Sequence, residues 1–125
     1  MKSIAPNIFV DDIEETIEFY EKLDFELVSR VPEEDEIVWA MMVNGNVQFM
    51  FQTFKSLGDE LPQVKRSKGG SLLLYIQVNE IKKLYEKIKN KVEVIKEMEK
   101  AFYGANEFSI KDNNDYILTF AENED

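Results

Sequence analysis

No histidine and no cysteine occur among the 125 residues. Each absence excludes chemistry. Without imidazole there is no Ser-His-Asp or Cys-His nucleophile pair, no imidazole base titrating near neutrality and no zincin-type metal site. Without thiol there is no disulfide framework, thiolate nucleophile, iron–sulfur cluster or zinc ribbon. A metal ion held by this chain would have to rest on carboxylates, amides and water. Positive charge is also scarce: 15 Lys+Arg stand against 25 Asp+Glu, a formal net charge of −10. Nucleic-acid binders carry a basic stripe for phosphates, so no nucleic-acid partner is expected. No apolar run approaches the roughly 20 residues of a membrane span, so no membrane partner is expected either. Met1-Lys2-Ser3-Ile4 reaches Asp11-Asp12 too soon for a signal peptide, which makes the cytoplasm the expected location.

What is present describes a folded chain. Hydrophobic residues make up 44% and aromatics 12%, far from the composition of a disordered acidic segment. The length fits one domain with a real core. The excess of carboxylates favours solubility, and its summed field attracts a cationic ligand.

Ser3 to Val10 reads as a strand with Pro6 near its start. Asp12 is then a helix N-cap with Glu15 as its capping-box partner, and Ile13, Ile17 and Tyr20 form the buried stripe. Phe25 to Val31 is a second strand, ended by Pro32 and the run Glu33-Glu34-Asp35-Glu36. Ile37 to Val43 and Val47 to Phe54 form a hairpin around Asn44-Gly45. Residues 55–70 read as a connector. The pattern then restarts: strand Ser71 to Val78, N-cap Asn79, and a helical stripe of Ile81, Leu84, Tyr85 and Ile88. Strands follow over Val92 to Lys100, Asn106 to Lys111 and Tyr116 to Ala121, with Asp112-Asn113-Asn114-Asp115 as the last turn. Val10-Asp11-Asp12-Ile13 superposes on Val78-Asn79-Glu80-Ile81, so both halves read βαβββ. The predicted fold is α+β, with helices covering one face of the sheets. It divides into module one (1–54), the connector and module two (71–125).

Alternation sorts each strand into two faces. Ile8 and Val10 oppose Ala5, Asn7 and Phe9; Val47, Phe49 and Phe51 oppose Gln48, Met50 and Gln52. Leu74, Ile76 and Val78 oppose Leu73, Tyr75 and Gln77; Leu118 and Phe120 oppose Ile117, Thr119 and Ala121. A turn at Asn44-Gly45 sets Met41, Trp39 and Ile37 opposite Gln48, Met50 and Gln52, which puts the single Trp on the mixed face. The oily faces suit packing under helices, and the mixed faces suit a wet crevice. Met42 is expected in the core. Lys82, Lys83, Lys87, Lys89 and Lys91 are expected on the solvated face of the second helix.

Two stretches, Val10-Asp11-Asp12-Ile13 through Phe19-Tyr20 to Phe25 and Gly104-Ala105-Asn106-Glu107-Phe108 to Asp112, carry a recognisable pattern. With Tyr116-Ile117-Leu118-Thr119-Phe120 and the early Pro6, they resemble the glyoxalase/bleomycin-resistance/dioxygenase (vicinal oxygen chelate) superfamily, bleomycin-resistance branch. Asp115 departs from the glycine usual in that turn, but Asp tolerates left-handed geometry. The resemblance implies a single domain over 1–125, in which two βαβββ modules curl their mixed sheets into a cup with helices outside. Many members hold a divalent metal there through one residue each from the first, fourth, fifth and eighth strands. The matching positions are Ala5, Gln48, Leu73 and Thr119, a set that cannot bind a metal, so neither metal nor cofactor is expected.

The resemblance further implies a homodimer that sequesters a small molecule, with positive charge on the ligand. The candidate ligand-binding residues are Asn7, Phe9, Trp39, Gln48, Met50, Gln52, Tyr75, Tyr103, Glu107, Ser109 and Thr119. Phe9, Trp39, Tyr75 and Tyr103 offer stacking surfaces, and Glu107 brings a carboxylate to the groove. Two alternatives remain: a lyase or isomerase using carboxylate or Tyr acid–base groups, and a regulatory or partner-binding module.

Overall fold

The repeated pattern of one helix between strands folds as two successive βαβββ units. The computed structural model describes residues 1–123. The first unit contains β1 (Asn7–Val10), α1 (Ile13–Glu21), β2 (Glu26–Val31), β3 (Trp39–Asn44) and β4 (Val47–Thr53), followed by the short α2 (Phe54–Leu57). The second contains β5 (Leu73–Gln77), α3 (Ile81–Ile88), β6 (Glu93–Lys100), β7 (Ala105–Lys111) and β8 (Ile117–Asn123). The compact units are Met1–Lys68 and Gly69–Asp125. Their sheets share one design, with orders β1-β4-β3-β2 and β5-β8-β7-β6. The first strand of each unit pairs parallel with the last, and the other pairs are antiparallel. Both sheets are open. The α+β expectation therefore holds.

Local chemistry explains the first helix. Asp12 is extended at φ −123°, and its Oδ1 accepts from the Glu15 N–H at 3.0 Å. Glu14 and Glu15 place negative charge at the positive end of the helix. The stripe of Ile13, Thr16, Ile17, Phe19 and Tyr20 is buried. Tyr20 is the hub, with ring centroids 5.4, 5.6 and 4.9 Å from Phe25, Phe49 and Phe51. Met42 is fully buried in the same unit, as its position predicts.

Helix α3 is capped differently from the sequence expectation. Val78 still donates to Ala121 O, so the turn falls one residue later and Glu80 takes the N-cap position, at φ 56° and with no side-chain cap of its own. The cap comes from β8: the Glu122 carboxylate accepts from Glu80 N at 2.9 Å and Ile81 N at 3.1 Å. A carboxylate across the first free N–H groups satisfies donors that Asn79 was expected to serve.

The hairpin turn also differs. Asn44 pairs with Val47, so the two-residue loop is Gly45-Asn46, with φ +57° at Gly45, the position where a type II′ turn requires glycine. Asn44 is held in the strand because its Nδ2 donates to Leu23 O at 3.1 Å. The partners of Gln48, Met50 and Gln52 are therefore Val43, Met41 and Trp39. The shift is two residues, so every side chain keeps its predicted face.

Two further features organise the loops. The segment read as a connector holds α2, capped by Thr53 Oγ1 accepting from Ser56 N at 3.1 Å. Beyond it, the Arg66 guanidinium donates to the carbonyls of Gly58, Glu60, Leu61 and Val64. Between β7 and β8, Asp112 Oδ1 accepts from Asn114 N at 2.8 Å and Tyr116 N at 2.9 Å, while Asp115 sits at φ 66°. A Cβ on Gly69 would lie 2.9 Å from Asp115 O, so only glycine fits beside this turn.

Candidate functional site in the open sheet faces

In each unit one sheet face is taken by a helix, which leaves the other for function. In the first unit, Ile8, Val10, Ala40, Met42, Phe49 and Phe51 are buried on the helix side. Asn7, Phe9, Trp39, Gln48, Met50 and Gln52 share the opposite face, as alternation predicts. Asn7 Nδ2 donates to Gln52 Oε1 at 3.0 Å. Phe9 lies 6.2 Å from Phe54. Trp39 is half-buried opposite Gln52. These side chains form one apolar-and-amide surface, with Met41 and Met50 cross-strand neighbours in its middle.

The second unit gathers the remaining five candidates. Register sets Tyr75 beside Thr119, and Ser109 on the other side of Thr119. The Ser109 and Thr119 hydroxyls are 2.8 Å apart and both residues are buried. Glu107 is only 9% exposed, and its Oε2 accepts from Tyr75 OH at 2.7 Å and from Tyr103 OH. Tyr75 and Tyr103 are themselves about half exposed, at 47% and 54%, so aromatic surface flanks a sunken carboxylate. Glu99 of β6 is directly opposite Glu107, and Lys96 engages it at 2.8 Å. Sequence reasoning missed that pairing because β6 has register shifts at Val94/Lys96 and Lys96/Glu99, and bulges cannot be counted from alternation. The convergence of both phenols on Glu107 also escaped it, since Tyr75 lies 32 residues away.

These contacts alter the phenols. Donation to Glu107 raises the Tyr75 pKa above 10.0, and the same carboxylate, followed by Tyr75, raises that of Tyr103 well above it. Burial, with the Asp112 charge, raises Tyr116. A raised folded-state pKa favours the protonated form, so this stabilisation is complete below pH ~10 and is lost as pH climbs through the raised values. Phenolate absorbance is therefore expected to show Tyr75, Tyr103 and Tyr116 ionising later than a free phenol. In Glu107→Gln, Tyr75 and Tyr103 should return toward ordinary values while Tyr116 stays put. Unchanged titration in that variant would contradict the hydrogen-bond assignment.

The metal positions implied by the resemblance can be tested on each unit's own register. Asn7 pairs with Met50 as Tyr75 pairs with Thr119. With Val10 superposed on Val78, the fourth-strand position equivalent to Thr119 is thus Met50, two residues beyond Gln48 on the same face. Ala5 and Leu73 offer no donor, Thr119 already bonds Ser109, and a thioether does not suit a hard divalent ion. The residues do not fit the metal. Among the described residues no group of three His, Cys, Asp or Glu could hold an ion. Among them, too, no helix is long and apolar enough to cross a membrane.

Known structures share this architecture. A protein of unknown function from Agrobacterium tumefaciens str. C58 superposes with a TM-score of 0.80 at 20% identity, covering 99% of this chain and 95% of its own. TioX from Micromonospora sp. ML1 gives 0.79 at 12% identity, covering 99% and 100%. A bleomycin-binding protein complexed with bleomycin gives 0.70 at 18% identity, again covering 99% and 100%. No curated protein sequence matches significantly. The family model described as Glyoxalase/Bleomycin resistance protein/Dioxygenase superfamily matches residues 2–120, nearly the whole chain, and this chain belongs to that superfamily.

Proposed function

We propose that the protein is a metal-independent small-molecule-binding protein, holding its ligand on the open sheet faces as a drug-sequestering protein does. One observation carries the reading. The positions where the superfamily places metal ligands hold Ala5, Met50, Leu73 and Thr119, while the same faces keep aromatic, amide and hydroxyl side chains. Aromatic surface with a few placed polar groups is the composition of a small-molecule site. The structural likeness to a bleomycin-binding protein supports this class of function, and the −10 charge supports a ligand carrying positive charge. The family resemblance supports a homodimer, and the acidic N-terminal segment without cysteine supports action in the cytoplasm.

Thermal denaturation in the presence of bleomycin and a panel of polar and cationic small molecules tests the reading. A true ligand at a hundredfold its Kd is expected to stabilise by about 2.7 kcal/mol, roughly 10 °C for a chain of this size. Zinc, nickel, manganese and ferrous ions are expected to leave the transition unmoved. Stoichiometric metal in protein purified without chelators, or silence across the whole panel, would sink it.

A second reading, a lyase or isomerase, rests on Glu107. A sunken carboxylate whose partners are two neutral phenols has the setting of an acid–base group.

A further inference from the structure

The two carboxylate oxygens of Glu107 are not equivalent. Both phenols donate to Oε2, and among the described residues no donor reaches Oε1. Glu107 is nine-tenths buried, yet none of its oxygens is both sealed from solvent and unpartnered, so Oε1 opens onto the sheet face. Among the described residues no ion pair is made to Glu107. Lys96 of β6, which feels the Glu107 charge, is engaged by Glu99, the residue directly opposite Glu107. The half-exposed rings of Tyr75 and Tyr103 flank the same carboxylate.

We infer that Glu107 Oε1, flanked by Tyr75 and Tyr103, is a recognition point for an organic cation bearing N–H donors, an ammonium, amidinium or guanidinium. This rests on the small-molecule-binding reading and narrows it. Tyrosine rings alone attract any cation, quaternary ammonium included. A vacant carboxylate oxygen adds a demand that a quaternary cation cannot meet, because it has no hydrogen to donate. A charge-assisted hydrogen bond gains more than a neutral one, so a neutral amide of the same shape is also disfavoured. The site therefore selects for positive charge and for a donor together. The phenols already satisfy Oε2, so the ligand need not displace them and the carboxylate is held in place before it arrives.

Three phenyl-bearing probes separate these demands: benzamidine (cation with N–H), phenyltrimethylammonium (cation without N–H) and benzamide (neutral, with N–H, and planar like benzamidine). Backbone amide shifts of Glu107, Ser109 and Thr119 in NMR titrations report binding at this face. Benzamidine is expected to bind about 10- to 100-fold more tightly than either analogue, and to weaken by a similar factor in Glu107→Gln. Glutamine keeps an acceptor for the two phenols, and the spectrum of the variant checks that it folds.

The inference is overturned if the quaternary cation binds as well as benzamidine, if Glu107→Gln binds benzamidine unchanged, or if benzamidine shifts nothing at this face. Should bleomycin or another panel compound stabilise wild type and Glu107→Gln equally, the small-molecule reading stands and the assignment to Glu107 alone fails. Silence of the panel together with silence of benzamidine removes both.

Discussion

Phe51→Ala is expected to lower the unfolding temperature by about 10–20 °C, because truncating a fully buried Phe costs about 3–5 kcal/mol in a chain of this size. Phe51 is 0% exposed and lies in β4 between its register partners Ile8 and Ala40. Its ring is 4.9 Å from Tyr20 and 6.2 Å from Phe49. Alanine removes the transfer free energy of the ring and leaves a cavity that strand backbones on both sides prevent from closing. The adjacent Gln52 points to the other face, and Gln52→Ala is expected to stay within about 0.5–1 kcal/mol of wild type. Calorimetry on the two variants reads the division between core and open face directly. Similar losses in both would mean that the faces are wrongly assigned.

Asp112→Ala is expected to cost about 2–4 kcal/mol in urea denaturation, the largest polar effect in the second unit. Asp112 is 4% exposed, and a single oxygen, Oδ1, accepts from both Asn114 N and Tyr116 N. Alanine leaves two backbone donors without that acceptor in a turn that is largely closed to water. Asp112→Asn keeps one acceptor oxygen and should recover part of the loss. The turn also sets the β7–β8 register, which places Ser109 against Thr119 and Glu107 against Ala121. A variant that folds with this turn loosened should therefore also show altered ionisation of Tyr75 and Tyr103. A cost under about 0.5 kcal/mol, the level of an ordinary surface change, would remove the structural role assigned to Asp112.

How far the sequence carried is clearest at particular residues. Asp12 was readable as a cap because capping depends on neighbours three residues away. Alternation put Asn7, Phe9, Trp39, Gln48, Met50 and Gln52 on one face, and a two-residue slip in the hairpin could not undo it, since strand period is two. The cap of α3 was not readable. Its carboxylate comes from Glu122, 41 residues beyond Ile81, and no local pattern announces a partner that distant. The resemblance points to Gln48 as the fourth-strand metal position, and the parallel pairing of β1 with β4 moves it to Met50, because strand register is invisible to alternation. Glu107 was placed on the right face, but its burial and its phenol partners needed the fold.

By itself the sequence determined the periodicities, hence two βαβββ units, their oily and mixed faces, and the want of any histidine or cysteine for a metal. Those follow from local geometry and composition, which act over a few residues. Tertiary structure alone decided which polar groups meet. Tyr75 and Glu107 converge because β8 pairs parallel with β5 and antiparallel with β7, Tyr103 joins them from the turn before β7, and the energy of that pairing is spread over the whole sheet. The missing histidine removes one kind of chemistry, and the fold supplies in its place a carboxylate with one oxygen satisfied and one open.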